Sequence, residues 1–208
     1  MGVVDRWRAY ARQYGAFGLL RHLAAKLVRP VFEHAAVDIL VLSPPGTKLS
    51  ARASVDIAEM SPEQARTAGF WSEEWQRRWA KGDVCYGAWL QGVCIHHSWV
   101  TTEDAYVGEA HGHLRVPQGE AYVYDCFTSG QSRGLGVFPA VLAYISQRQF
   151  DRGVRRLWIA VETENLSSRR AIERAGFVPA GTLEYHRFGS GGKVTVHQAS
   201  GQPPIPFS

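Results

Sequence analysis

Tyr122-Val123-Tyr124-Asp125-Cys126-Phe127-Thr128, then Ser129-Gly130-Gln131-Ser132, then Arg133-Gly134-Leu135-Gly136-Val137-Phe138: this run sets the fold. Its first part is apolar and aromatic and reads as a strand. Its second is a polar turn. From Pro139 to about Phe150 the apolar residues Val141, Leu142, Ile145 and Phe150 give a helix one buried side. A second strand spans 156–161 and ends at Glu162-Thr163-Glu164-Asn165. A short helix from Ser167 to Ala175 then stops at Gly176. The order is strand, glycine turn, helix, strand, helix.

The glycine turn has a chemical use. Without a Cβ, the backbone of Gly134 and Gly136 can approach a ligand closely. A helix opening directly afterwards leaves N–H groups unpaired at the positive end of its dipole. Such a corner suits a phosphate or diphosphate. The chain has no GxxxxGK[ST], which argues against a nucleoside triphosphate site. A dinucleotide fold would want a third glycine and more βαβ units.

These residues resemble the acyl-CoA-binding core of the GNAT superfamily of N-acyltransferases. That family carries [RQ]-x-x-G-x-[GA] at the start of its central helix, and later an Asn, a small residue three on, and Gly-Phe. Here the later part is Asn165, Ser168 and Gly176-Phe177. The earlier part fits in two registers. Gln131-Ser132-Arg133-Gly134-Leu135-Gly136 matches completely. Arg133-Gly134-Leu135-Gly136-Val137-Phe138 aligns the apolar helix residues better but puts Phe138 where a small residue is usual. The resemblance covers about residues 122–178, and more loosely 53–188. It implies an α/β (α+β) fold with a mixed central sheet, splayed central strands and flanking helices.

It also implies a reaction: direct attack of an amine on an acyl thioester, with acetyl-CoA or another acyl-CoA as co-substrate and no metal. The strand near Cys126 and Thr128 would pair through its backbone with the pantetheine arm. Residues Arg133, Gly134, Leu135, Gly136, Val137 and Phe138 would hold the diphosphate, and Asn165 and Ser168 the other side of the arm. Relatives often place a titrating group two or four residues earlier on the central strand. Tyr124 and Tyr122 stand there and, by strand alternation, share the face of Cys126 and Thr128. Tyr124 is the candidate acid or relay, and Glu162 the candidate base. Asp125 points the other way, where a salt bridge is expected. Many relatives also carry a Tyr seven residues after the Asn, and here that residue is Ile172.

Composition is consistent with one domain. The chain has 208 residues, with 45% hydrophobic and 20% charged. No run of about eighteen apolar residues exists to span a bilayer. The start is too charged for a secretory signal, and Arg6 rules out the myristoylation pattern. Cys85, Cys94 and Cys126 form no CxxC pair. Their odd number argues for reduced thiols and a cytoplasmic home. The formal net charge of +4 resides in residues 1–35, where Arg6, Arg8, Arg12, Arg21, Lys26 and Arg29 face only Asp5 and Glu33.

That extension is amphipathic, with Val3, Trp7, Tyr10, Tyr14, Phe17, Leu20, Ala24 and Leu27 spaced by threes and fours. It reads as helix over 3–29, in one piece or broken near Gly15 and Gly18. It either packs on the domain or across a homodimer, or docks an acidic partner such as a carrier protein, a tRNA or a lipid surface. The chain therefore divides into a basic amphipathic helical extension, 1–35, and one domain, 36–208.

In the second, 37–42 and 53–57 read as strands. Ser61-Pro62 opens a helical stretch carrying Phe70, Trp71, Trp75 and Trp79, read as core or as an aromatic acceptor wall. Strands 84–90 and 93–101 form a hairpin at Gln91-Gly92. His96 and His97 sit in it on opposite faces. Residues 103–120 read as a loop or irregular hairpin leading into the central strand, where His111 and His113 have no convincing third metal ligand. Two closing strands, 182–188 and 193–198, precede a tail expected to be extended and poorly ordered.

Three functions follow. The first is an N-acyltransferase taking an acyl group from CoA to a small-molecule amine. The second is an enzyme of the same kind using a carrier-bound acyl group or an aminoacyl-tRNA. The third is a non-catalytic protein that binds CoA or a partner.

Overall fold

The computed structural model describes residues 32–52, 54–189 and 191–208. The helix expected over 3–29 lies outside them. One sheet dominates, with strands β1 (Phe32–Leu42), β2 (Asp56–Glu59), β3 (Val84–Leu90), β4 (Val93–Thr101), β7 (Ala121–Thr128), β8 (Leu157–Glu162), β9 (Val178–Phe188) and β10 (Gly191–Gln198). Their spatial order is β10-β9-β1-β8-β7-β4-β3-β2. Every neighbouring pair is antiparallel except β7 and β8, which are parallel. Strand β1 begins at Phe32, so the last residues of the expected extension belong to the sheet. Strand β2 starts at Asp56, later than the expected 53–57.

Alternation along β1 divides the core. Leu40 and Leu42 join Val123, Leu157 and Ile159 beneath helix α3 (Val137–Asp151), which contributes Val141, Leu142 and Ile145. Val37, Ile39 and Val41 point to the opposite side, with Tyr122, Trp158 and Leu183. Helix α3 is the crossover that two adjacent parallel strands require. Helix α4 (Leu166–Arg174) follows β8 and buries Ile172 among the α3-side residues.

The tryptophan stretch is two short helices. Helix α1 (Pro62–Thr67) starts in a capping box: Ser61 Oγ accepts from Gln64 N–H, and the Gln64 side chain accepts from Ser61 N–H. Helix α2 (Glu73–Lys81) is capped by Ser72 and ends at Gly82. Trp75 is buried against Trp99, Met60 and Cys85, with Phe70 and Trp79 packed on the same cluster. These rings are core.

Beyond β4, one expectation holds and one fails. The stretch 103–120 contains a small hairpin, β5 (Ala105–Val107) and β6 (Gly112–Leu114). The tail is extended but docked on that hairpin. Ile205 is buried, and Ser208 and His113 exchange backbone hydrogen bonds of 3.0 and 2.9 Å. Gln198 Oε1 accepts from Ile205 N–H at 2.9 Å. Two apolar side chains, Ile205 and Phe207, have a groove to fill, and this outweighs the proline-rich composition.

Candidate active site

Strands β7 and β8 face each other at only three positions, Ala121–Leu157, Tyr122–Trp158 and Val123–Ile159. Beyond Val123 they part. Strand β7 stays with β4 as far as Thr128, which faces His96. Strand β8 stays with β1, where Val37 faces Glu162. The gap opens into a cavity of about 770 Å³. Cys126, Phe127 and Thr128 form one wall. Ser132, Arg133, Gly134 and Gly136 form its mouth, with Val137, Phe138 and Pro139 of α3 behind them. Glu162, Glu164, Asn165, Ser167, Ser168, Arg170, Ala171 and Arg174 form the other wall.

The glycine turn is shaped by left-handed backbone. Gly134 and Gly136 have φ of +80° and +74°, where a Cβ is strained. Gly136 caps α3, so the helix begins at Val137. Of the two registers, the one starting at Arg133 therefore puts its motif glycine at the helix cap and Phe138 inside the first turn. The N–H groups of Val137 and Phe138 have no intrahelical acceptor, and Pro139 has no N–H to offer. Leu135 differs from the other turn residues. It packs toward the core, its carbonyl accepts from Arg52 N–H at 2.8 Å, and it does not line the cavity.

A bulge in β7 overturns the alternation expected from the sequence. Tyr124 pairs with Trp99 and Phe127 with His97, so Asp125 and Cys126 together stand opposite Ser98. Asp125 adopts φ +46° and forms an ion pair with Arg78 of α2. The extra residue moves Cys126 and Thr128 to the α3 side of the sheet, with Val123. Tyr122 and Tyr124 remain on the other side with their rings stacked, centroids 6.0 Å apart. Tyr124 is absent from the cavity wall. Its hydroxyl donates to Asp83 Oδ2 at 2.6 Å, and burial together with that carboxylate raises its pKa further. The sequence pattern that put Tyr124 beside Cys126 thus assumed an unbroken strand.

The remaining expected residues gather at the cavity. Glu162 stands at the open end of β8. Asn165 caps α4, its Oδ1 accepting from Ser168 N–H at 3.2 Å and from Ser167 Oγ at 3.1 Å. Cys126 is a protonated thiol near neutral pH, because burial pushes its pKa up to about 12. Ile172 is 1% exposed and part of the core, so its position carries no acid. Arg170 and Arg174 line the cavity and were missed in the sequence. Their spacing of four on one face of α4, beside Ala171, was the available signal.

The two central histidines part company. His96 lies behind Thr128, with its ring stacked on Phe138 at 5.5 Å. His97 is packed among Phe70, Trp75 and Phe127. Neither reaches His111, which stacks on Tyr185, or His113, which rests edge-on against Tyr106.

The sequence model of the acetyltransferase (GNAT) family matches residues 56–177. No curated protein matches the sequence significantly. Among solved structures, the chain is similar to a GCN5-related N-acetyltransferase from Kribbella flavida, at 19% identity and TM-score 0.54, over 81% of this chain and 64% of that one. It is similar to a GCN5-related N-acetyltransferase from Sphaerobacter thermophilus at 11% identity and TM-score 0.55, over 94% and 69% of the two chains. A GNAT-family acetyltransferase from Colwellia psychrerythraea aligns at 17% identity and TM-score 0.50, over 88% and 63%. The chain thus spans less than two thirds of the Kribbella and Colwellia proteins. At these identities the structures speak for the fold, and the match over 56–177 speaks for the family: the chain belongs to the GNAT acetyltransferases.

Proposed function

We propose that the protein transfers an acyl group, in the simplest case acetyl, from a CoA thioester to an amine of a small molecule by direct attack. The observation that carries this reading is the parted pair β7 and β8, whose gap runs from Val123 to the glycine turn at Gly136. The diphosphate sits at the first-turn N–H groups of α3. Arg133, Arg170 and Arg174 meet the remaining phosphate charge. Ser129 N–H is directed at Ile95 O on β4, 2.8 Å away, so strand alternation turns the amides of Thr128 and Cys126 toward the gap. They pair with the pantetheine arm, and a donor from this row meets the thioester oxygen as it gains charge.

Glu162 takes the proton released by the attacking amine, directly or through water. Tyr124 is not assigned a proton transfer, because its hydroxyl is committed to Asp83 on the far side of the sheet. The test is turnover. Acetyl-CoA is incubated with a panel of primary amines and the release of free thiol is followed. Amine-dependent thiol release that is lost in Glu162→Gln supports the reading. No release with any amine, from protein that binds acetyl-CoA, favours a non-catalytic CoA-binding role.

A second reading keeps the chemistry but takes the acyl group from a carrier protein. It rests on Phe138, which narrows the cavity where relatives have a small residue. Transfer from acetylated carrier that exceeds transfer from acetyl-CoA would support it.

A further inference from the structure

Behind the cavity wall runs a hydrogen-bonded chain that acyl transfer, as described so far, does not use. His96 of β4 is fully buried. Its Nδ1 lies 2.7 Å from Thr128 Oγ1 and its Nε2 lies 2.8 Å from Ser98 Oγ. Ser98, also fully buried, hydrogen-bonds the Cys126 thiol. The thiol proton points at Tyr124 O, 3.8 Å away. Thr128 and Cys126 both line the cavity.

One direction of the chain gives the buried sulfur a donor. The Cys126 proton is given to a carbonyl, which has none to return, so the sulfur accepts from Ser98 O–H. Ser98 Oγ then accepts from His96 Nε2–H. A neutral imidazole has one N–H, so Nδ1 is bare and accepts from Thr128 O–H. Burial, with His97 adjacent, lowers the His96 pKa to about 3 and keeps the ring neutral. The Phe138 ring stacked on the imidazole holds its plane.

We infer that His96 is a positioning residue that fixes the Thr128 hydroxyl as a hydrogen-bond acceptor toward the cavity, where it takes an amide N–H of the donor's pantetheine-type arm. The inference rests on the thioester reading above. Thr128 lies between the bulge at Asp125 and the glycine turn, the stretch an arm would cross between its thioester and its diphosphate. That part of pantetheine carries two secondary amides. Acyl-CoA and an acylated carrier share this arm. An aminoacyl ester of RNA has no amide there and gains nothing from Thr128.

The test uses the full chain. Long-range proton–nitrogen NMR of the imidazoles gives the His96 tautomer without any ligand. A neutral ring protonated on Nε2 from pH 5 to 8 is expected; a proton on Nδ1, or an imidazolium at pH 6, overturns the inference. Calorimetry then compares acetyl-CoA with two analogues, each carrying an ester oxygen in place of one amide N–H. Thr128→Val weakens acetyl-CoA binding about three- to tenfold, and Thr128→Ser restores it. One analogue shows a similar loss against the wild type and no further loss against Thr128→Val. Full additivity for both analogues overturns the amide contact. Should the wild type bind no acetyl-CoA, the thioester reading fails and the contact with it, while the tautomer is decided separately by NMR.

Discussion

Val123 is the last residue of β7 with a partner on β8, and that partner is Ile159. Everything beyond this pair has one strand neighbour instead of two. Ser129 N–H is held by Ile95 O, and strand alternation counted from it turns the amides of Thr128 and Cys126 toward the gap. Hydrogen exchange should therefore be fast at Cys126 and Thr128 in the free protein and slow at Ser129. Saturating acetyl-CoA should slow the first two and leave Ser129 unchanged. Equal protection at all three sites before ligand is added would mean the gap is closed.

Tyr124 and Asp83 give a clean separation of stability from catalysis. Tyr124→Phe removes the donor to a carboxylate that is only 6% exposed. The expected cost is about 1–3 kcal/mol of stability, read as a lower melting temperature. Turnover per folded molecule should stay within about twofold, since the hydroxyl does not reach the cavity. A loss of turnover with unchanged melting temperature would return Tyr124 to the reaction.

Acid sensitivity follows from the central histidines. Burial holds the pKa of His96 down at about 3 and depresses that of His97 as well, from an ordinary value of 6.5. Between the folded and unfolded values the unfolded chain binds more protons. Stability therefore rises with pH through this window and falls as the pH drops below about 6.5 toward 4. The melting temperature should decline over that range, and His96→Asn should flatten the decline. A melting temperature independent of pH between 7 and 4.5 would contradict the buried, neutral assignment.

Arg170 and Arg174 supply charge to the cavity from the wall formed by α4. Replacing both by Ala should weaken acetyl-CoA binding about tenfold and reduce its salt dependence. Binding of S-acetylpantetheine, which has no phosphate, should change less than twofold. An equal loss for both ligands would show that the arginines support the fold of the wall rather than the phosphates.

Local chemistry made much of this legible in the sequence. Gly134 and Gly136 announced a turn that side chains avoid, and helix α3 starts immediately after it. Asn165 and Gly176 bracket α4 because a capping side chain and a left-handed stop are sequence-local devices. Gln91-Gly92 closes the β3–β4 hairpin for the same reason. The bulge at Asp125 carries no such mark. It is set by pairing with Ser98 and by the ion pair to Arg78, residues distant in sequence, and missing it put Tyr124 on the wrong face. The docked tail was hidden likewise, since the groove that takes Ile205 and Phe207 is built by β6 and β9. Arg170 and Arg174 became site residues only when α4 was placed across from β7.

The most direct measurement is a calorimetric titration of acetyl-CoA into the wild-type chain and into Gly136→Val. The wild type should bind saturably at one site. The variant keeps its fold but cannot hold φ near +74° with a β-branched side chain, and it should bind at least about tenfold more weakly. Absence of binding to the wild type, or equal binding by both proteins, would contradict the account.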